Sequence, residues 1–137
     1  MEFIVEAKSN SMTKQYIESL IPSLLSQLKL GRSRKLLHVI LDKDLEEHGL
    51  TMDMTDVSGS YLVILRPDRN LTTIGMTLAH ELVHVKQMAH GTLKYGSRGS
   101  VFWRGKKFTK KVKYLDCPWE IQAFSRQEIL FRRALEA

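Results

Sequence analysis

Cysteine is nearly absent from this 137-residue chain, and long hydrophobic runs are absent altogether. The single cysteine, Cys117, cannot form an internal disulfide, which is typical of a protein in a reducing, intracellular setting. No stretch approaches the roughly 20 apolar residues that cross a bilayer. The first residues lack the basic and apolar regions of a signal peptide. We therefore expect a cytoplasmic protein with no membrane partner.

The length and composition predict one folded domain over residues 1–137. Hydrophobic residues make up 43% of the chain and charged residues 26%, which is typical of a globular protein rather than a disordered one. Two independent cores in a chain of this length would each be of marginal size. The sequence contains no internal repeats.

Acidic residues are missing from one part of the chain, where the positive charge is concentrated. Lys and Arg number 21 and Asp and Glu number 15, which gives a net charge of +6. Nine of the basic residues and none of the acidic ones lie between Lys86 and Lys113. This stretch, called the basic segment below, predicts contact with DNA or with an acidic substrate, and the alternative is a solvated surface loop.

Hydrophobic spacing and capping residues predict three helices. The first covers residues 12–30; Ser11 is its candidate cap, Pro22 predicts a kink or a break, and Gly31 is expected to end it. Two further helices follow the same rules. One has Asn70 or Thr72 as its candidate cap and runs to about His90, and the other runs from Pro118 to Leu135.

Short apolar runs predict strands between these helices. Residues 35–41 and 61–65 are expected to be buried strands, and residues 3–7 a weaker one. The polar stretch 42–60 is predicted to be a loop with a short irregular insert, and residues 101–108 a hairpin within the basic segment. We assign strand 61–65 to the sheet edge where a peptide substrate could add as a further strand.

The second predicted helix carries the motif H-E-x-x-H as His80, Glu81 and His84. Residues at positions i and i+4 lie about 5–6 Å apart on one helix face. Both imidazoles can therefore bind one Zn²⁺ ion, with Glu81 beside them to act on a water molecule that the metal holds. The alternative is a solvated helix face on which these residues occur by chance.

Glu120 is a candidate third ligand, 36 positions after His84. It lies in the first turn of the last predicted helix and could complete a His, His, Glu site with an open fourth position. Taken alone, an acid at this place is explained by the helix dipole. Together with H-E-x-x-H, it predicts a metal ligand.

The pair of motifs, H-E-L-V-H and P-W-E-x-x-A separated by a basic aromatic loop, resembles the small zinc metallopeptidases of the gluzincin type. In particular, it is similar to the minimal single-domain zincin-like proteins that tailed bacteriophages often encode. The resemblance covers roughly residues 61–124. It implies an α+β fold with a small twisted mixed sheet, an N-terminal helix, a metal-binding helix and a C-terminal ligand helix. It also implies cleavage of a protein or peptide substrate, in the host cytoplasm if the chain is phage-encoded.

The resemblance implies that His80, His84 and Glu120 are zinc ligands and that Glu81 is the catalytic acid/base. The sequence departs from the family pattern at Gln122, where many relatives carry an acid. It departs again at Phe124, where some gluzincins carry an aspartate. Such acids can orient a ligand histidine, and their loss can weaken metal binding or activity.

One more hydrogen-bond donor is expected to stabilise the oxyanion that forms in peptide hydrolysis. Tyr114 is the leading candidate, and Tyr95 and His90 are the alternatives. Two other functions stay open at this point, namely a nucleic-acid-associated module with structural zinc and a catalytically silent zincin scaffold. The sequence does not determine the oligomeric state.

Overall fold

The protein has an α+β fold, as the sequence predicts. A computed structural model describes residues 1–8, 11–68, 70–109 and 112–137. The helices are α1 (Met12–Gln27), α2 (Thr55–Ser58), α3 (Leu71–Ala89) and α4 (Pro118–Glu136). The strands are β1 (Glu2–Glu6), β2 (Leu36–Leu41), β3 (Gly49–Met54), β4 (Ser60–Leu65), β5 (Leu93–Tyr95), β6 (Val101–Trp103) and β7 (Lys106–Phe108). Lys110 and Lys111, which belong to the basic segment, lie outside the described residues.

The larger sheet has the strand order β1-β2-β4-β3. Strands β1, β2 and β4 are parallel, and β3 pairs antiparallel with β4 at the edge. Alternate side chains of the central strands, such as Val39 and Val63, are completely buried, because one face of the sheet packs against the helices. One cluster of buried apolar side chains joins this sheet to α1, α3 and α4.

The stretch 42–60, predicted to be a loop, contains strand β3 and the short helix α2. The prediction was wrong because β3 carries weak strand signals: it begins with a glycine, and Leu50 and Met52 remain 38% exposed. Antiparallel pairing with β4, rather than the strand propensity of its own residues, forms the strand. As a result, β4 lies inside the sheet, so the assignment of residues 61–65 to a sheet edge was wrong, and β3 forms the edge beside β4.

Helix α1 is continuous through Pro22, so the break predicted there does not occur. Ser11 caps the helix, as predicted, by accepting a hydrogen bond from the backbone N–H of Lys14. The helix ends at Gln27, earlier than predicted, and Lys29 rather than Gly31 adopts the left-handed backbone conformation that follows the end (φ 57°).

The smaller sheet has the order β5-β6-β7 and lies within the basic segment. The predicted hairpin is confirmed by the antiparallel pairing of β6 and β7. Its two-residue turn consists of Arg104 and Gly105, both with positive φ (51° and 81°), as the favoured hairpin turns require. Along the described residues, no helix has the length and apolarity that a membrane crossing needs.

Helices α3 and α4 pack closely because Gly75 has no side chain. A methyl group at position 75 would lie 2.2 Å from Cε1 of Phe131 on α4. The Asn70 side chain caps the start of α3 by accepting from the N–H groups of Thr72 and Thr73, which confirms one of the two predicted caps. This packing sets the distance between the two helices that carry the candidate site.

We predict that Gly75→Ala destabilises the protein by about 1–2 kcal/mol, because α3 and α4 must separate to admit the methyl group. The helix propensity of alanine acts in the opposite direction by about 1 kcal/mol. Urea denaturation of the variant and of wild type measures the difference between their free energies of unfolding. Gly31→Ala is the control, since a methyl group at position 31 meets no atom within 4 Å. A Gly75→Ala protein as stable as wild type would contradict the packing described.

Candidate metal centre

His80, Glu81 and His84 lie on α3 and are buried between α3 and its neighbours, with 5–7% of each residue exposed. The centroids of the two imidazole rings lie 5.0 Å apart, and the ring planes are inclined at 80° to each other. One potential ligand atom from each of the three residues lies within 4.8 Å of the others. This buried His-Glu-His group could hold a metal ion. The helix predicted around the motif is therefore present, and the motif faces the interior rather than solvent.

Glu120 meets both histidines from the first turn of α4. Its Oε1 atom lies 2.9 Å from Nε2 of His80 and 3.1 Å from Nε2 of His84. The structure thus brings the acid selected from the sequence to the two imidazoles, although 36 residues separate it from His84. Pro118 occupies the first turn of α4, where a proline is readily accommodated.

The Gln87 side chain orients the ring of His84. Its amide nitrogen donates hydrogen bonds to the Trp119 carbonyl oxygen at 3.0 Å and to Oε1 of Gln122 at 2.9 Å. Because a backbone carbonyl only accepts, this fixes the amide so that its Oε1 faces Nδ1 of His84 at 2.8 Å. Nδ1 of His84 therefore carries a proton, and Nε2 is the ring atom that faces Glu120. There it donates a hydrogen bond to the carboxylate when the ring is protonated, and it offers a lone pair to a metal ion when the ring is neutral.

His80 has the same arrangement with a different glutamine. Its Nδ1 lies 2.8 Å from Oε1 of Gln127 on α4, and the Phe124 ring packs edge-on against the imidazole at 4.5 Å. In metal sites, a ligand histidine commonly donates its second ring N–H to an oxygen acceptor in this way. The amides of Gln87 and Gln127 thus hold the two rings, so this support does not require acids at positions 122 and 124.

The three atoms that converge here are all suited to a cation. Two imidazole lone pairs and a carboxylate oxygen repel one another unless a proton or a metal ion lies among them. Around tetrahedral zinc, bonds of about 2.0–2.1 Å separate the ligand atoms by about 3.3 Å. The observed separations of 2.9 and 3.1 Å are close to that spacing. The residues present therefore fit a metal ion.

The pKa shifts agree with a site that attracts positive charge. Burial would raise the pKa of Glu120, but hydrogen bonds with His80 and His84 outweigh it and lower the pKa to about 2. Burial would lower the pKa of His84, but the hydrogen bond with Glu120 and the charges of Glu81 and Glu120 raise it. The carboxylate thus stays ionised, and a cation beside it is favoured.

Glu81 lies beside the histidines and is held by strand β3. The hydroxyl of Thr51 donates a hydrogen bond of 2.7 Å to Oε1 of Glu81. Burial raises the pKa of this carboxyl group, against the lowering effects of His84 and Thr51. The strand approaches so closely because Gly49 has no side chain, as a methyl group there would lie 2.9 Å from Cγ of Glu81.

A cavity of about 670 Å³ opens in front of these residues. Tyr114 and Tyr95 line it, whereas His90 lines a separate cleft. Burial and then the charge of Glu120 raise the pKa of both tyrosines, so both phenols keep their protons at neutral pH. Two of the three candidate donors are therefore brought to the site, and His90 is not.

Comparison with protein-family models, with curated proteins and with solved structures gives no match. The family resemblance therefore rests on the motifs alone, and the site must be judged from its own geometry.

Three residues that contact the site, Thr51, Gln87 and Gln127, were not predicted from the sequence. Gln87 is three positions after His84, and this spacing places two side chains together on a helix. Gln127 lies two turns after Glu120 on α4, so the helical period could have placed it near His80. Thr51 offered no such signal, because its strand was itself predicted to be a loop.

We predict that Gln127→Met weakens metal binding about 10- to 100-fold, because methionine has a similar length but does not hold Nδ1 of His80 as the amide does. Competition with a chromogenic chelator measures the affinity. Gln15→Met, at an exposed position of α1, is the control and should bind like wild type. An unchanged affinity in Gln127→Met would show that the amide does not support the ligand.

Proposed function

We propose that this protein is a zinc-dependent metallopeptidase of the zincin-like kind, which hydrolyses peptide bonds with Glu81 as general acid/base. The observation that carries the proposal is the convergence of two oriented imidazoles on one oxygen of Glu120, with a second buried carboxylate beside them. A helix face that carried these residues by chance would leave them exposed and without partners.

The donor set favours zinc. Imidazole nitrogen and carboxylate oxygen are zinc ligands, and two histidines with one glutamate are typical of catalytic sites that keep a fourth position open. A zinc ion held by His80, His84 and Glu120 would supply a Lewis acid that polarises the peptide carbonyl and lowers the pKa of water.

Glu81 is suited to move protons beside such a centre. Its carboxylate lies within 4.8 Å of the histidine ligand atoms and is not one of the three proposed ligands. Its raised pKa makes it a stronger base than an exposed glutamate. Glu81 takes a proton from the attacking water and passes it to the leaving amine. The Thr51 hydroxyl directs the carboxylate by a hydrogen bond.

The open edge of β3 is suited to bind the substrate as an added strand. The backbone N–H of Arg66 donates a hydrogen bond to the backbone carbonyl oxygen of His48. From this pair onwards, residues of β3 that form hydrogen bonds with β4 alternate with residues that do not. Gly49, Thr51 and Asp53 therefore direct their backbone groups away from β4. No other strand of the described residues pairs with this edge. An extended peptide bound there would pass along the wall of the cavity.

Tyr114 and Tyr95 are the candidate donors to the oxyanion. Both line the cavity, and a phenol with a raised pKa keeps the proton that it must donate. We favour Tyr114, because its phenol also interacts with the Glu120 carboxylate and so lies beside the metal ligands.

A catalytically silent scaffold is the competing function. The main support for a silent scaffold in the sequence is that Gln122 and Phe124 occupy positions where related proteins carry acids. The hydrogen bonds of Gln87 and Gln127 to the ligand histidines weaken that support.

We predict that Glu81→Gln lowers peptide hydrolysis about 10²- to 10⁴-fold, because the amide cannot accept and return the proton. Zinc content should stay at the wild-type level, since His80, His84 and Glu120 are unchanged. Hydrolysis of fluorescein-labelled casein measures activity, and elemental analysis measures zinc.

Glu128→Gln, which removes an exposed carboxylate of α4, is the matched control and should keep full activity. Retained hydrolysis in Glu81→Gln would contradict the role of Glu81. A zinc-loaded wild type that cleaves neither casein nor a mixed peptide library would favour the silent scaffold.

A further inference from the structure

A second cleft, of about 400 Å³, lies on the other side of Gln87 from the candidate metal centre. Its wall is formed by parts of the chain that are distant in sequence, namely the end of α3, the hairpin turn of the smaller sheet and the middle of α4. Its lining includes Lys86, Thr92, Arg104, Gln122 and Arg126.

Three basic side chains line this cleft. Lys86 comes from α3, Arg104 from the turn between β6 and β7, and Arg126 from α4. Among the described residues, none that lines the cleft is acidic. Within the part of the chain that the structure describes, none of the three forms an ion pair. Like charges brought together in this way favour the binding of an anion.

The remaining wall offers hydrogen-bond donors. Oε1 of Gln122 accepts from Gln87, and the amide nitrogen of Gln122, a residue that lines the cleft, carries two N–H groups. The hydroxyl group of Thr92 is a further hydrogen-bond donor in the lining of the cleft. The backbone carbonyl oxygen of Thr92 accepts a hydrogen bond of 2.8 Å from the backbone N–H of Arg104, which holds the hairpin turn beside the cleft.

The two arginines and the lysine line the cleft from three separate elements, and a tetrahedral anion with several oxygens can take a hydrogen bond from each. A planar carboxylate is typically satisfied by the fork of a single arginine, whereas phosphate readily takes several cationic donors. The exposed Lys106 and Lys107 on β7 continue the positive surface beyond the turn.

We propose that this cleft binds a phosphate group. The group belongs to a nucleic-acid backbone or to a small phosphate compound. The proposal assigns part of the charge of the basic segment to a defined site, and it includes Arg126, which lies outside that segment. It does not depend on the peptidase activity.

The test uses the full-length protein with two probes, a fluorescein-labelled 20-nucleotide single-stranded DNA followed by anisotropy and tripolyphosphate followed by calorimetry. Arg126→Gln should weaken binding about tenfold for each probe that the wild-type protein binds, because one charged contact with the phosphate is lost. Gln122→Glu should weaken it similarly. A glutamate keeps the acceptor for Gln87 but places a negative charge in the cleft.

Arg132→Gln is the matched control, because it removes the same charge from an exposed position of the same helix. It should change the affinity less than about twofold. Unfolding temperatures of all variants are compared with wild type, and Lys86→Gln replaces Arg126→Gln if the latter does not fold.

DNA binding with this pattern, reversed by tripolyphosphate, identifies a nucleic-acid backbone as the source. Binding of tripolyphosphate alone, with the same pattern, identifies a small phosphate compound. Failure of both probes to bind overturns the proposal. It is also overturned if Arg126→Gln or Gln122→Glu behaves like wild type, or if Arg132→Gln weakens binding as much as they do.

Discussion

One oxygen atom of Glu120 faces the Nε2 atoms of two histidines, and the organisation of the site depends on this contact. Each imidazole has its other nitrogen bound to a glutamine oxygen, so neither ring can turn away. Three electron-rich atoms are thereby held together in the protein interior, where an uncompensated arrangement of this kind is costly. A proton or a metal ion between these atoms relieves the repulsion, and the set of two nitrogen atoms and one oxygen atom could hold a metal ion.

The rest of the fold brings three elements to that point. Gly75 allows α4 to approach α3, which places Glu120 and Gln127 against the histidines. Gly49 allows β3 to approach α3 from the other side, which places Thr51 against Glu81. The same antiparallel strand leaves one edge unpaired among the described residues. The site and the proposed substrate edge therefore result from one set of close contacts.

The parts of the site that follow from helical periodicity could be predicted from the sequence. His80 and His84 share a face because they are one turn apart, and Glu120 was found because a proline two residues earlier marks a helix start. Strand β3 could not be predicted, since it forms by pairing with β4 and has little strand propensity of its own. The glutamines were missed for a different reason. Their importance lies in which atom they face, and this depends on the packing of α4 on α3.

Zinc binding by wild type and by Glu120→Ala shows whether Glu120 and the two histidines form a metal site. Each protein is dialysed against zinc and buffer and then measured by elemental analysis, with Glu128→Ala on the same helix as the control. We expect about one zinc ion per chain in wild type and in Glu128→Ala, and loss of stoichiometric zinc in Glu120→Ala with the fold retained by circular dichroism. Equal zinc in all three proteins, or none in wild type, would contradict this expectation.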